Sequence, residues 1–258
     1  MPPSQTCTRC IAVTALATSI ALPSLAANAK PPDGGAWRTT TKLARPLSTL
    51  LIGNSHILMP GFLKRVRTRI RAKTGQTPKL RTLAKIGTTL SKTKRQSNTA
   101  SVLKSKNWDV IVLQESTTAF LTGHGRRSFM SAVKWFNAHK PEGAKLLLWE
   151  TWPQGARHGL YHRRGVWGRW FKNPPRNPKQ LFSWIEKGTG GAARANASYV
   201  APIGSCWMLL KPAKRPYARD RYHASTRGLT FVAEILARSV VATAQMQAAP
   251  GQVAGACP

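Results

Sequence analysis

Apolar residues along the chain fall into two patterns. Short apolar-rich segments that read as strands lie at residues 47–52, 80–86, 110–113, 145–149 and 199–203. Val110-Ile111-Val112-Leu113 is the plainest of them. Four successive apolar residues leave no polar face, the mark of a strand covered on both sides. Between the runs, residues 60–72, 89–104, 126–139, 179–195 and 224–244 predict helices. Phe129, Val133, Trp135 and Phe136 fall toward one side of the third helix. Leu229, Val232, Ala233, Leu236 and Val240 make the inner stripe of the last.

Strands alternating with helices imply a parallel sheet with helices on both faces. The predicted fold is α/β, a flavodoxin-like three-layer α/β/α sandwich with about five parallel strands. The sequence has no internal repeat and no midpoint linker, so residues 47–246 read as one domain. In such folds, function gathers beyond the carboxyl ends of the strands. Ser55, Gly87 and Gln114 each stand just after a predicted strand.

The ends of the chain read differently. Arg9 precedes a charge-free apolar stretch over residues 11–22, and Ala27-Asn28-Ala29 offers a small-x-small cleavage site. Residues 1–29 therefore read as a signal peptide, and the protein as exported, periplasmic or secreted. No other segment is apolar for long enough to cross a membrane. Residues 30–46 are polar and aperiodic, a mature N-terminal tail. Residues 247–258 form a Gly/Ala-rich C-terminal tail. Cys7 and Cys10 lie in the signal region, which leaves Cys206 and Cys257 as the expected disulfide of an oxidising compartment.

Charge adds a further constraint. Forty Lys and Arg stand against 8 Asp and Glu, a net +32, or +31 once Arg9 leaves with the signal. Such a field attracts anions and says nothing about fold. It is read either as general solubility or as attraction to an anionic partner.

Two segments suggest chemistry. In Gly53-Asn54-Ser55-His56 a serine sits at a strand-to-loop turn, and Gly53 allows a sharp bend. Serine is a poor nucleophile without a nearby base. Far downstream, Asp220-Arg221-Tyr222-His223 leads into the last helix. A carboxylate three residues before a histidine can fix the tautomer and orientation of the ring. With only 8 acidic residues in the chain, a chance pairing with a histidine is rarer than usual.

These segments resemble the blocks of the SGNH, or GDSL-like, hydrolase superfamily, in the branch whose first block is Gly-Asn-Ser. The resemblance implies Ser55 as nucleophile, with His223 and Asp220 as the rest of a triad. It implies an oxyanion hole from the Ser55 N–H, from Gly87 in Ile86-Gly87-Thr88-Thr89-Leu90, and from Gln114. The superfamily's usual Gly-x-Asn-Asp third block is missing; Leu113-Gln114-Glu115-Ser116 stands in its place. In the branch that carries this form, Gln114 takes the Asn role. The resemblance runs from about Leu47 to Leu236 and implies an acyl-enzyme mechanism without cofactor or metal. The implied substrate is an acylated small molecule or glycan, which the charge suggests is anionic.

Trp149, Trp152, Trp167 and Trp170 alternate with Arg157, Arg163, Arg164 and Arg169 in one long loop. Trp152, Arg163, Arg164 and Trp167 are therefore candidate substrate-contacting residues. The spacing of His158 and His162 could suit zinc, but no third ligand accompanies it. No nucleic-acid motif is present, and no specific nucleic-acid partner is expected. The rival class is a non-catalytic cationic binding protein on the same fold, for an acidic glycan or other polyanion.

Overall fold

The computed structural model describes residues 42–162, 171, 173–246, 249–255 and 257–258. Its centre is a five-stranded, all-parallel sheet in the order β2-β1-β3-β4-β5. The strands are β1 (Ser48–Gly53), β2 (Lys79–Ala84), β3 (Val110–Gln114), β4 (Lys145–Trp149) and β5 (Tyr199–Ala201). The main helices are α1 (Ser55–Leu58), α2 (Phe62–Thr74), α3 (Leu90–Thr93), α4 (Thr99–Lys104), α5 (Gly123–His139), α6 (Pro178–Ala195), α7 (Ile203–Leu209) and α8 (Thr226–Ala244).

Period-two alternation sorts each strand between two cores. Leu51, Val110, Val112, Leu147, Trp149 and Tyr199 face α2 and α8. Leu50, Ile52, Ile111, Leu113, Leu146 and Leu148 face α3, α4, α5 and α6. The continuous apolar run of β3 follows from this, because a central strand must satisfy both layers. None of the described helices is long and apolar enough to cross a membrane.

The chain moves from β1 to β2 on one side, then crosses to β3 on the other. This reversal opens a crevice beyond the ends of β1 and β3, where open α/β sheets bind ligands. Ser55 and Gln114 both lie at that point.

Local chemistry shifts several boundaries. The helix expected over residues 89–104 is two short ones. The Thr99 hydroxyl donates to the Thr93 carbonyl at 2.6 Å, a side-chain bond that competes with the helical ladder. The strand expected over residues 199–203 stops at Ala201, because Pro202 has no N–H to donate and Ile203 opens α7. The run at residues 80–86 ends at Ala84, leaving Ile86 in an exposed turn.

Both flanking segments are tied to the sheet. Leu43 donates its N–H to the Thr74 carbonyl, and Arg45 pairs with Asp109, whose carboxylate also accepts the Ser48 N–H at 2.7 Å. At the other end, Val253 lies beside Val200 in parallel register. Val200 N–H donates to Gln252 and Ala254 N–H to Val200, which covers the open edge of β5. A Cys206–Cys257 disulfide, with Cα atoms 5.3 Å apart, fixes this segment against the α8 side of the sheet.

Candidate active site

The first wall of the site is the turn after β1. A Cβ on Gly53 would lie 2.5 Å from Gln114 Oε1 and 2.8 Å from Ile57 Cδ1. The glycine is thus required by close approach of two neighbours. Asn54 caps α1, its Oδ1 accepting the His56 N–H at 3.3 Å. Ser55 begins α1, where a backbone N–H has no helical acceptor.

Gln114 lies beneath that turn and is fully buried. Its Oε1 accepts the Asn54 N–H at 2.9 Å, and its Nε2 donates to the Glu115 carbonyl at 2.6 Å. A backbone N–H needs an oxygen and a carbonyl needs an N–H, so these two bonds fix the amide orientation. Gln114, expected as an oxyanion donor, here holds the Asn54 end of the turn against β3. Glu115, also buried, accepts the Leu90 N–H at 3.2 Å and the Ser116 N–H at 2.6 Å. Burial pushes its carboxyl up to about 8, against the pull of those two bonds.

The second wall is the loop before α8. Asp220 Oδ1 accepts the N–H groups of Tyr222 at 2.9 Å and His223 at 3.0 Å. Its Oδ2 meets His223 Nδ1 at 2.6 Å. The other ring nitrogen, Nε2, is 2.9 Å from Ser55 Oγ. The structure thus joins Ser55, His223 and Asp220, distant in sequence, into one hydrogen-bonded chain. Burial raises the Asp220 carboxyl, but the His223 ring and the two backbone N–H groups outweigh it, holding the group below the usual carboxylate range. Arg221, between them, has φ 56°, a left-handed conformation uncommon for a residue with a side chain. Bonds from Arg221 N–H to Ala218 O at 3.0 Å and from Gly155 N–H to Arg221 O at 2.8 Å hold it there.

Trp152, expected at a substrate surface, is only 1% exposed. It stacks on Trp207 at 4.7 Å, and its Nε1–H donates to the Tyr222 carbonyl at 3.0 Å. The indole therefore steadies the Asp220–His223 loop from below, and its face is not free for a sugar. Sequence reasoning missed this role because a tryptophan among arginines reads equally as a binding face or a core.

His56 was also missed. It is 1% exposed, with its ring edge-on to Trp152 at 4.6 Å and 5.1 Å from the His223 ring. Burial foremost, then the nearby His223, pushes its imidazole down to about 3, so it stays neutral. Its neutral ring packs among Trp152, Tyr222 and His223.

Gly87 lies in the turn after β2, with φ 67° and open space where a Cβ would be. The preceding Lys85 donates its N–H to the Gly53 carbonyl at 3.2 Å, which ties this turn to the first wall. Arg163, Arg164 and Trp167, with Arg169 and Trp170, lie outside the described residues. Trp149 is buried in β4. His158 accepts the Leu160 N–H at 3.1 Å and caps a short turn. Among the described residues, no three His, Cys, Asp or Glu side chains gather as a metal site.

No protein-family model and no curated protein sequence matches the chain. Solved structures do match its fold. A protein from Slackia heliotrinireducens, provisionally assigned as an SGNH hydrolase, is 20% identical with a TM-score of 0.62, over 75% of this chain and 98% of that one. A DUF4886 family protein from Bacteroides uniformis is 15% identical with a TM-score of 0.57, over 76% of this chain and 85% of that one. An acetylxylan esterase from Geobacillus stearothermophilus, solved as a catalytic mutant, is 12% identical with a TM-score of 0.54, over 78% and 96%. The fold is that of the SGNH-like hydrolases, and at these identities the likeness is one of backbone.

Proposed function

We propose that this chain is an exported serine ester hydrolase that removes acyl groups, acetyl foremost, from a carbohydrate or cell-envelope polymer. The observation that carries the proposal is the hydrogen-bonded series from Asp220 Oδ2 through His223 to Ser55 Oγ, at 2.6 and 2.9 Å. Asp220 beside Nδ1 keeps the proton on that nitrogen, so Nε2 is free to accept the serine proton.

In the first step Ser55 Oγ bonds to the ester carbonyl carbon while His223 Nε2 takes its proton. The oxyanion forms against the N–H groups of Ser55 and Gly87. Loss of one such donor typically costs about 10²–10³ in rate. Gln114 acts as a positioning residue for the serine turn. Collapse of the adduct expels the alcohol, which leaves with the proton from Nε2. Water then attacks the acyl-serine with His223 as base, and the free acid departs.

The Cys206–Cys257 bond supports export, since such bonds persist in oxidising compartments. The acetylxylan esterase among the structural neighbours supports ester chemistry as the reaction class. The test is turnover of p-nitrophenyl acetate by wild type and Ser55→Ala. Turnover that vanishes in a variant with unchanged thermal unfolding supports the reading. A variant that keeps most of its turnover removes Ser55 as nucleophile.

A further inference from the structure

Next to the Asp220–His223 turn lies a groove of about 490 Å³. Arg157, Arg215 and Arg221 line it, with Tyr217 as an aromatic wall and Gly155 among the remaining residues. None of its described lining residues is acidic. Among the described residues, no carboxylate pairs with any of the three arginines, and Asp220 is taken up by His223. Three like charges around one groove repel each other, and a bound anion would offset that repulsion.

The groove is also preformed. Arg215 donates from Nε to the Leu210 carbonyl at 3.2 Å and from Nη2 to the Met208 carbonyl at 3.1 Å, which leaves the rest of its fork unspent. The Tyr217 hydroxyl donates to the Pro153 carbonyl at 2.6 Å, fixing its ring. A Cβ on Gly155 would lie 3.3 Å from Arg221 Cβ and 3.4 Å from the Tyr217 ring, so a glycine keeps the backbone close. Arg221 is held in its left-handed conformation by two backbone bonds, and such outliers gather at functional sites.

We propose that this groove is a subsite for an anionic sugar unit, with its carboxylate or phosphate held by Arg157, Arg215 and Arg221 and its ring against Tyr217. The planar guanidinium fork matches both oxyanions. The volume lies within the range of small-ligand sites, about 300–1,000 Å³. Arg221 is two residues from His223, so a unit anchored here would neighbour the ester at Ser55 on one polymer. That last connection rests on the esterase reading; the binding itself does not.

The test is calorimetric titration of Ser55→Ala protein, in which no ester is turned over. The ligands are three unacylated oligosaccharides of equal length: a neutral glucan, a uronate and a phosphorylated glucan. At least one anionic ligand should bind about tenfold tighter than the neutral one, the scale of a charge-assisted bond, and which one does identifies the acid. Arg157→Gln/Arg221→Gln should abolish that preference. Arg67→Gln/Arg71→Gln removes the same charge from the exposed face of α2 and should preserve it. Arg157→Gln alone, which leaves the Asp220–His223 loop untouched, should weaken anionic binding severalfold. Equal affinity for neutral and anionic ligands would overturn the proposal. So would equal loss in both double variants, since the net field alone would then explain binding. Failure of the esterase reading would appear in p-nitrophenyl acetate turnover and not in these titrations.

Discussion

The side-chain oxygen of Gln114 accepts the backbone N–H of Asn54 at 2.9 Å, inside the protein and one residue before Ser55. The end of β3 thereby sets the turn at the end of β1. Gln114→Met keeps much of the volume but orphans the Asn54 N–H and the Glu115 carbonyl. Leaving a buried group unpaired costs about 1–3 kcal/mol. The variant should lose stability on that scale in urea titration and lose kcat with it. Unchanged stability would remove Gln114 as the strut of the turn.

Asp220→Asn should keep the loop folded, because an amide oxygen can still accept from Tyr222 and His223. It would no longer stabilise an imidazolium, and it favours the wrong tautomer. Turnover should fall by about 10⁴ with KM little changed. Steady-state kinetics on p-nitrophenyl acetate check this, and unaltered kcat would take Asp220 out of the relay.

Glu150 makes stability depend on pH. It is 4% exposed at the end of β4, and one oxygen accepts both the N–H and the hydroxyl of Ser205 at 2.7 Å. Burial pushes its carboxyl up to about 7 from an ordinary 4.5. A raised native value means that the folded state binds more protons than the unfolded one between those limits. The stability contribution is therefore full below about pH 4.5 and is lost as pH rises through 7. Glu150→Gln mimics the protonated form. The wild-type minus variant difference should shift toward instability of the wild type by up to about 3 kcal/mol across that window. Unfolding at pH 4.5, 6 and 8 measures it, and a pH-independent difference would refute the assignment.

The disulfide closes a separation of 51 residues and holds the C-terminal segment along β5. Cys257→Ser should cost about 2–4 kcal/mol, the usual range for such a link. The Val200–Val253 pairing should become exposed to hydrogen exchange. Peptide mapping without reductant should recover Cys206 and Cys257 as one linked fragment; two free thiols would contradict the structure.

The fold was legible because burial on two faces favours continuous apolar runs such as Val110 to Leu113, set between segments of helical period. That the sheet is parallel followed from the alternation of strands and helices. Smaller boundaries depended on bonds that periodicity does not encode, such as Thr99 to the Thr93 carbonyl. Within the site, Ser55, Asp220 and His223 could be picked out by motif. What Gln114, Trp152 and His56 do could not. Each is a polar or aromatic residue whose role depends on which neighbour it meets, and those neighbours are distant in sequence, as with Trp152 and Tyr222 or His56 and His223. The arginine groove was likewise hidden, because Arg157 is brought beside Arg215 and Arg221 by long-range bonds such as Gly155 N–H to Arg221 O and Tyr217 OH to Pro153 O.

The central claim is that His223 activates Ser55 as a nucleophile. Reaction with a fluorophosphonate, followed by intact-mass and peptide analysis, tests it directly. The expected result is one adduct per chain, on Ser55, absent from Ser55→Ala and strongly slowed in His223→Ala. No adduct on folded protein, or an adduct on another residue, would contradict the account.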